Sequence, residues 1–269
     1  MILFPTAKIN IGLRITGIRD DGFHNIESVL YPVPLWDVVE FSDSGKFSLQ
    51  LYGRNIPGRP EDNILMKAWE LLHRRFSVPE VSVALLKNIP PGSGLGGGSS
   101  DAAFFLKGMN DYFQLQLPMK VLVDLALQLG SDVPFFLSNK PVLVTGRGQY
   151  QVPVSLHLAG YWLLLVWPRI VLSTTEMFAG VKINPAGASL MQGLQLPTEQ
   201  WGTVFRNDFE ELAFTKYPVL KKIKEQLLHS GAAFASMTGS GSALYGLFQH
   251  KPDASLFEKW GTVYLLRIP

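Results

Sequence analysis

Ile89-Pro90-Pro91-Gly92-Ser93-Gly94-Leu95-Gly96-Gly97-Gly98-Ser99-Ser100-Asp101 is the stretch around which the rest of the chain is organised. Five glycines fall between residues 92 and 98. Glycine loses more freedom on folding than any other residue, so an ordered run of this kind is kept where the backbone must reach positive φ or approach something closely. Upstream, residues 81–86 (Val-Ser-Val-Ala-Leu-Leu) read as a short strand. Downstream, Ser99, Ser100 and Asp101 are good N-cap residues, and Ala102, Phe105, Leu106 and Met109 form an i, i+3, i+4, i+7 apolar helix face. Strand, glycine loop and helix start aim backbone N–H groups and the positive helix end at an anion, most often a phosphate.

Spacing separates the competing readings of this loop. Gly92, Gly94 and Gly97 satisfy G-x-G-x-x-G, but a dinucleotide site needs an acidic residue about twenty positions on, at the end of a second strand. Residues 110–118 read instead as a helix end and a loop. A Walker A loop must end in G-K-[ST], which the chain lacks. A glycine-rich turn with no ligand is the plain alternative.

The chain has 269 residues, 47% hydrophobic and 17% charged, a globular composition that argues against disorder. Its net charge of +2 and its short basic pairs, Arg74-Arg75 and Lys221-Lys222, argue against a nucleic-acid partner. The absence of cysteine removes disulfides, thiolate nucleophiles and cysteine metal sites together. The five histidines show no i, i+3 or i, i+4 pairing, so no metal site is read from them. Pro5 and Lys8 interrupt the apolar start, which therefore does not read as a signal peptide. Residues 161–167 form the longest apolar run, far below a membrane span. The expectation is a cytoplasmic protein with no membrane partner.

In chain order, residues 2–18 and 26–33 suggest an opening hairpin around Asp20-Asp21-Gly22. Residues 36–41 and 46–52 read as two further strands joined by a turn at Asp43-Ser44-Gly45. Asp62 or Asn63 caps an expected helix with Leu65, Ala68, Trp69 and Leu72 on one face. Residues 119–129 predict another helix, with Val121, Leu122, Leu125, Ala126 and Leu129 inward and Gly130 as its C′ residue. Short strands at 142–145 and 151–154 flank Gly146-Arg147-Gly148, and residues 161–167 suit a buried central strand. A domain boundary is expected near 154–160, giving an N-terminal domain 1–154 and a C-terminal domain 155–269. Helices are expected at 174–180, 208–214, 217–229 and 253–260, and strands at 233–237, 243–248 and up to 266. Hairpins at the start and mixed elements later favour α+β over a doubly wound sheet.

Four places carry chemistry-bearing residues. Lys8, in Ala-Lys-Ile-Asn-Ile-Gly-Leu, reads either as a snorkelling or edge-strand lysine or as a catalytic cation. Asp132, in Leu-Gly-Ser-Asp-Val-Pro-Phe-Phe, reads either as a turn or N-cap aspartate or as a base. Met237-Thr238-Gly239-Ser240-Gly241-Ser242 is a second glycine–serine cluster: a plain tight turn, or further N–H groups for the same ligand. His24, after Phe23, lies in a turn. Two glycine loops in one chain point to a polyphosphate ligand, and no Ser/His/Asp arrangement in a nucleophile-elbow context is present.

Three patterns, in this order, resemble the motifs of the GHMP kinase superfamily: Pro5-Thr6-Ala7-Lys8-Ile9-Asn10, then Pro90 to Ser100, then Met237 to Ser242. Thr16-Gly17-Ile18-Arg19-Asp20-Asp21-Gly22-Phe23-His24 and Leu129 to Phe136 are similar to its branch that acts on a cytidyl diphosphate substrate in isoprenoid precursor synthesis. The resemblance spans residues 5–248. It implies a two-domain α+β fold, with a ribosomal protein S5 domain 2-like N-terminal domain and a ferredoxin-like C-terminal domain. It implies an ATP- and Mg²⁺-dependent transfer to an alcohol, by a monomer or weak homodimer. Lys8 and Asp132 match the catalytic pair, and Pro90, Pro91, Gly92, Ser93, Gly94, Leu95, Gly96, Gly97, Gly98, Ser99 and Ser100 match the ATP-phosphate loop. Asn63 and Lys87 fall at the adenosine, Phe23, His24 and Phe178 at the cytosine ring, and Asn10, Thr174, Gly239 and Ser240 near the substrate. The branch often has tyrosine where Phe23 stands, so the stacking face is kept and a hydroxyl lost. A nucleotide-binding module without catalysis and a dinucleotide oxidoreductase are the alternatives from other classes.

Overall fold

A computed structural model of the chain describes residues 1–183 and 189–269. The chain opens with β1 (Ile2–Leu3), β2 (Thr6–Ile18), β3 (His24–Trp36), β4 (Val38–Asp43) and β5 (Ser48–Gly53). Helix α1 (Ile64–Phe76), β6 (Val81–Lys87), α2 (Gly97–Tyr112), α3 (Met119–Leu129) and α4 (Val133–Ser138) follow. Next come β7 (Val142–Gly146), β8 (Tyr150–Pro153), β9 (Trp162–Trp167), α5 (Thr174–Gly180), α6 (Leu190–Gly193), α7 (Phe209–Lys216) and α8 (Pro218–His229). Strands β10 (Phe234–Met237), β11 (Leu244–Phe248) and β12 (Thr262–Arg267) complete the fold. Residues 254–260, expected as an α-helix, wind as a 3₁₀ helix.

Packing divides the chain into two compact units, and neither is one continuous stretch. The first comprises Met1–Ala7, Leu35–Pro91 and Gly96–Lys140; the second comprises Lys8–Pro34, Gly92–Leu95 and Pro141–Pro269. The chain thus does not part at a single point near 154–160. The reason is visible in the second unit's core, where Leu13 and Ile15 from β2 are buried in one cluster with Leu164, Val166, Met177, Phe209, Ile223 and Leu244.

The first unit is a four-stranded sheet, β1-β4-β6-β5, covered by helices. Alternation explains which face they cover. Val39 and Phe41 on β4 stand opposite Leu85 and Val83 on β6, all are buried, and successive strand residues point to opposite faces. Phe41 meets Phe105 of α2 edge to face at 5.4 Å. The turn at residues 43–45 does not join neighbours, because β6 lies between β4 and β5 and pairs with β5 in parallel. Helix α1 is capped as expected, with Asn63 Oδ1 accepting from the Leu65 N–H at 2.9 Å. Helix α2 begins earlier than its sequence suggests: Gly96, at φ 74°, is the cap, Ser99 and Ser100 lie in the first turn, and Asp101 follows it. In α3, Val121 and Leu129 are half-buried rather than inward, and Gly130 is extended (φ 165°) rather than left-handed.

The second unit carries two four-stranded sheets, β2-β3-β7-β8 and β10-β11-β9-β12. In the latter, β9 lies between β11 and β12 with antiparallel partners on both sides. Leu163 to Val166 are fully buried, which accounts for the continuous apolar run of this central strand. Its order of connections, β9, helices, β10, β11, a 3₁₀ turn, β12, is the β-α-β-β-α-β pattern of ferredoxin-like folds, so the α+β expectation holds.

Candidate active site

Three sequence stretches far apart in the chain meet in the second unit. The carbonyl of Leu95 accepts from the Lys8 N–H at 2.9 Å, and that of Ser93 from the Ala243 N–H at 3.0 Å. Thr238 Oγ1 lies 3.2 Å from the Gly94 carbonyl. Three successive loop carbonyls are therefore turned toward the protein. Because a trans peptide sets its N–H opposite its C=O, the N–H groups of Gly94 and Gly96 are aimed the other way. Gly94 itself is required here: at φ +83°, a Cβ on it would stand 2.0 Å from the Thr238 carbonyl oxygen. Gly98 is different, since a Cβ on it would meet nothing within 4 Å. The first turn of α2 thus has open space at Gly98, and a helix start presents N–H groups to an anion.

Lys8 is 2% exposed, which removes the snorkelling reading. Its ammonium donates to Asn10 Oδ1 at 2.6 Å. The same oxygen accepts the Gly239 N–H at 2.9 Å and lies 3.2 Å from Thr238 Oγ1. Asn10 Nδ2 donates to Ser28 Oγ at 2.8 Å, and Ser28 Oγ gives its own hydrogen to the Gly12 carbonyl at 2.6 Å. This fixes the orientation of the carboxamide, because a flipped NH₂ group would face the Lys8 ammonium and the Gly239 N–H, both of which can only donate. Tyr245 holds the Asn10 carbonyl through its hydroxyl at 2.8 Å. Burial, then the charge of Glu210, pushes that phenol well up, so it remains a donor. On the same turn, Thr174 Oγ1 and Ser240 Oγ are 3.1 Å apart. Lys8, Asn10, Thr174, Gly239 and Ser240 are thus gathered in one unit.

The aromatic candidates also lie in this unit. Asp21 Oδ1 accepts from the Phe23 N–H at 3.1 Å, shaping the turn that leaves Phe23 49% exposed. The rings of His24 and Phe178 are 5.1 Å apart and tilted by 40°, and Phe178 rests edge-on against Phe209. One face of Phe23 is covered by the Arg147 guanidinium, 3.5 Å from the ring centroid. The sequence marked Gly146-Arg147-Gly148 as a turn and gave no sign that its arginine stacks on Phe23.

In the first unit, Asp132 occupies the cap position of α4 but its side chain makes no capping hydrogen bond, so the capping reading of this aspartate falls. Lys87 is buried between two carboxylates, with its ammonium 2.5 Å from Asp37 Oδ2 and 2.6 Å from Asp101 Oδ2. Asp37 Oδ1 in turn accepts the N–H groups of Asn88 and Ile89, the residues that lead into the glycine loop. The Lys87 ammonium and the Asn63 carboxamide oxygen, assigned by resemblance to the adenosine, are thus engaged inside the unit. Burial lifts the Asp101 carboxyl well above the usual range; Lys87 opposes this and Asp37 adds to it. Burial alone would lower Lys87, and Asp101 and Asp37 reverse that and raise it. Sequence reasoning missed Asp37, although an acid between Trp36 and Val38 is the kind of residue that needs a buried partner. Ser100 Oγ and Asp101 Oδ1 are buried with no hydrogen-bond partner. Among the described residues no group of three or more His, Cys, Asp or Glu side chains could hold a metal. No helix among the described residues is long and apolar enough to cross a membrane.

Comparison with known proteins gives concordant matches. The family model for the GHMP kinases N terminal domain matches residues 63–140, and that for the GHMP kinases C terminal domain matches residues 189–264. A Bacteroides thetaiotaomicron protein named 4-diphosphocytidyl-2-C-methyl-D-erythritol kinase is 45% identical over 267 residues, covering 97% of each chain. A Porphyromonas gingivalis protein of the same name is 43% identical over 257 residues, covering 94% of each. The crystal structure of a 4-(cytidine 5'-diphospho)-2C-methyl-D-erythritol kinase superposes with a TM-score of 0.82 at 26% identity, covering 99% of this chain and 98% of that one. A homoserine kinase from Cytophaga hutchinsonii shares the fold, with a TM-score of 0.70 at 17% identity over 98% of this chain and 94% of that one.

Proposed function

The chain belongs to the GHMP kinase family, in the branch of the 4-diphosphocytidyl-2-C-methyl-D-erythritol kinases, and from that premise we propose that it transfers the γ-phosphoryl of ATP to the 2-hydroxyl of 4-diphosphocytidyl-2-C-methyl-D-erythritol, a step of the non-mevalonate route to isoprenoid precursors. The observation that carries this reading is the hydrogen-bonded convergence of Lys8, Asn10, Gly94, Leu95, Thr238 and Gly239. It unites all three motifs around one buried cation. The alternative of a binding module without catalysis gives no reason for so elaborate a seat for Lys8.

Each residue has a role that follows from its chemistry. Asp132 accepts the proton of the acceptor hydroxyl as the oxygen attacks. Lys8 supplies a fixed positive charge against the negative charge on the transferred group, and it needs no reorganisation at the moment of reaction because Asn10 already holds it. The outward N–H groups of the glycine loop orient the β- and γ-phosphates. Mg²⁺ neutralises phosphate charge when bound with the nucleotide. Phe23, His24 and Phe178 select the cytosine ring by stacking and hydrogen bonding, with Arg147 backing Phe23. Choice of acceptor and handling of phosphate are thereby divided between different residues.

The deciding experiment is incubation with ATP, Mg²⁺ and 4-diphosphocytidyl-2-C-methyl-D-erythritol, followed by mass analysis. A product heavier by one phosphoryl group, with ADP formed in equal amount, is expected. ADP release with no phosphorylated acceptor would overturn the assignment of substrate, and no turnover of ATP at all would overturn the kinase.

A further inference from the structure

Asn207 lies outside the kinase motifs and is 3% exposed. Both of its Nδ2 hydrogens and one lone pair of its Oδ1 are used within the second unit. Its Nδ2 donates one hydrogen to the Met237 carbonyl and the other to the Gly239 carbonyl, each at 2.8 Å. Its Oδ1 accepts the Phe209 N–H at 3.0 Å. One planar group therefore staples two carbonyls on either side of Thr238, at the point where β10 gives way to the glycine turn. Gly239 presents the opposite group to the site: its N–H meets Asn10 Oδ1, the atom that also holds the Lys8 ammonium.

We propose that Asn207 is a positioning residue that sets the place of the Lys8 ammonium: by holding the Met237 and Gly239 carbonyls it fixes the peptides on either side of the Thr238–Gly239 peptide, whose N–H meets the Asn10 carboxamide; this rests on the catalytic reading of Lys8 above. Asn10 Oδ1 has two lone pairs, met by the Lys8 ammonium and the Gly239 N–H, while the single Thr238 hydroxyl hydrogen is shared between this oxygen and the Gly94 carbonyl. Any change in the direction of the Gly239 N–H redistributes that oxygen among the other two. Asn10 cannot adjust by turning over, because Nδ2 is committed to Ser28, and its backbone is held by Thr238 Oγ1 at 3.1 Å and by Tyr245. The strand end just before the turn has a separate support. Glu210 Oε1 accepts the Met237 N–H at 2.8 Å and the Ser236 hydroxyl at 3.1 Å, and its Oε2 accepts from Lys224 at 2.6 Å. Asn207 and Glu210 both brace this segment, but of the two it is Asn207 that reaches the Gly239 carbonyl. The plain reading, a satisfied core asparagine that merely holds a turn, predicts that the two residues behave alike.

The test compares Asn207→Ala with Glu210→Gln, using kcat and KM for both substrates, ATP binding at equilibrium, and thermal melting. Asn207→Ala is expected to lower kcat about 10- to 100-fold, the size of effect that misplacing a catalytic group produces. Its ATP Kd and both KM values should stay within about threefold, since binding groups are untouched. Glu210→Gln should lower the melting point while kcat stays within about twofold. In a cycle with Lys8→Ala, adding Asn207→Ala should cost less than about twofold further, because the two act as one unit. If Asn207→Ala fails to fold, Asn207→Ser, which keeps one donor, carries the same comparison. Unchanged kcat in Asn207→Ala, equal kcat losses in the Glu210 variant, or additive losses on the Lys8→Ala background would each overturn the proposal while leaving Lys8 catalytic. Wild-type turnover in Lys8→Ala alone would remove the catalytic reading and the proposal with it.

Discussion

Gly94 is the residue at which a side chain is least tolerable, and the cause is backbone rather than packing. A Cβ 2.0 Å from the Thr238 carbonyl oxygen cannot be relieved by a rotamer change, and φ +83° is itself unfavourable for an L-residue. Gly94→Ala is therefore expected to destabilise the protein by more than about 3 kcal/mol, from the summed clash and strain, whereas Gly98→Ala, which meets open space, should fold with an unchanged urea midpoint. Equal stability in the two variants would contradict the geometry. At Asp132, where the cap hydrogen bond is absent, Asp132→Asn is expected to lower turnover by orders of magnitude with ATP affinity nearly intact; near-wild-type turnover would sink its role as base. Phe23→Ala is expected to weaken the cytidyl substrate by about tenfold or more, in line with roughly 1–3 kcal/mol per stacked base, and to leave ATP binding alone. These residues were nameable from motif order, but their environments were not. That Lys8 is buried rather than snorkelling depends on Asn10, Gly239 and Leu95, and no local pattern encodes the meeting of residues more than two hundred positions apart.

The start of α2 and the end of β6 are joined through Lys87. Removing its ammonium would leave Asp37 and Asp101 facing each other in a nearly dry site, so Lys87→Met is expected to cost about 3–5 kcal/mol in denaturant unfolding. The pH dependence follows from the directions of the shifts. Asp101 binds its proton more tightly folded than unfolded, so its contribution is fully present below the unfolded value near 3.8 and is lost as pH rises toward the folded one. Lys87, raised above 10.5, contributes below that value and loses its contribution as pH climbs through the folded value. Asp101→Asn cannot ionise, and its stability relative to wild type should therefore grow as pH rises from about 4 through the folded value. A flat difference over that range would show that Asp101 ionises normally. Periodicity found α2 and its buried face without error, because the apolar spacing is local. It misplaced the cap, since Ser99, Ser100 and Asp101 look like capping residues while Gly96 supplies the turn. The turn between β4 and β5 was legible but not their separation, because a tight turn says nothing about a third strand inserting between its arms.

At the scale of the whole chain, the sequence shows where one kind of pattern gives way to another, near residue 154, but not which segments share a core. Leu13 and Ile15 bury themselves among Leu164, Val166, Phe209 and Ile223, and the Leu13 N–H donates to the Arg206 carbonyl at 2.8 Å while its carbonyl accepts the Asp208 N–H at 2.8 Å. Asp208 Oδ2 takes the Ile15 N–H at 2.7 Å as well. A fragment of residues 155–269 would thus keep the whole β10-β11-β9-β12 sheet yet expose the apolar surface that β2 covers, and leave the backbone around Asn207 without its partners. Two fully buried aliphatic side chains are worth about 1.5–3 kcal/mol each, a large share of the roughly 5–15 kcal/mol by which a domain is stable. The fragment is therefore expected to melt without a cooperative transition and to bind a hydrophobic dye, and a peptide spanning residues 8–34 should restore a sharp melt. A cooperative transition in the fragment alone would show that residues 155–269 form a self-sufficient domain, and that the early strands are attached to its core rather than part of it.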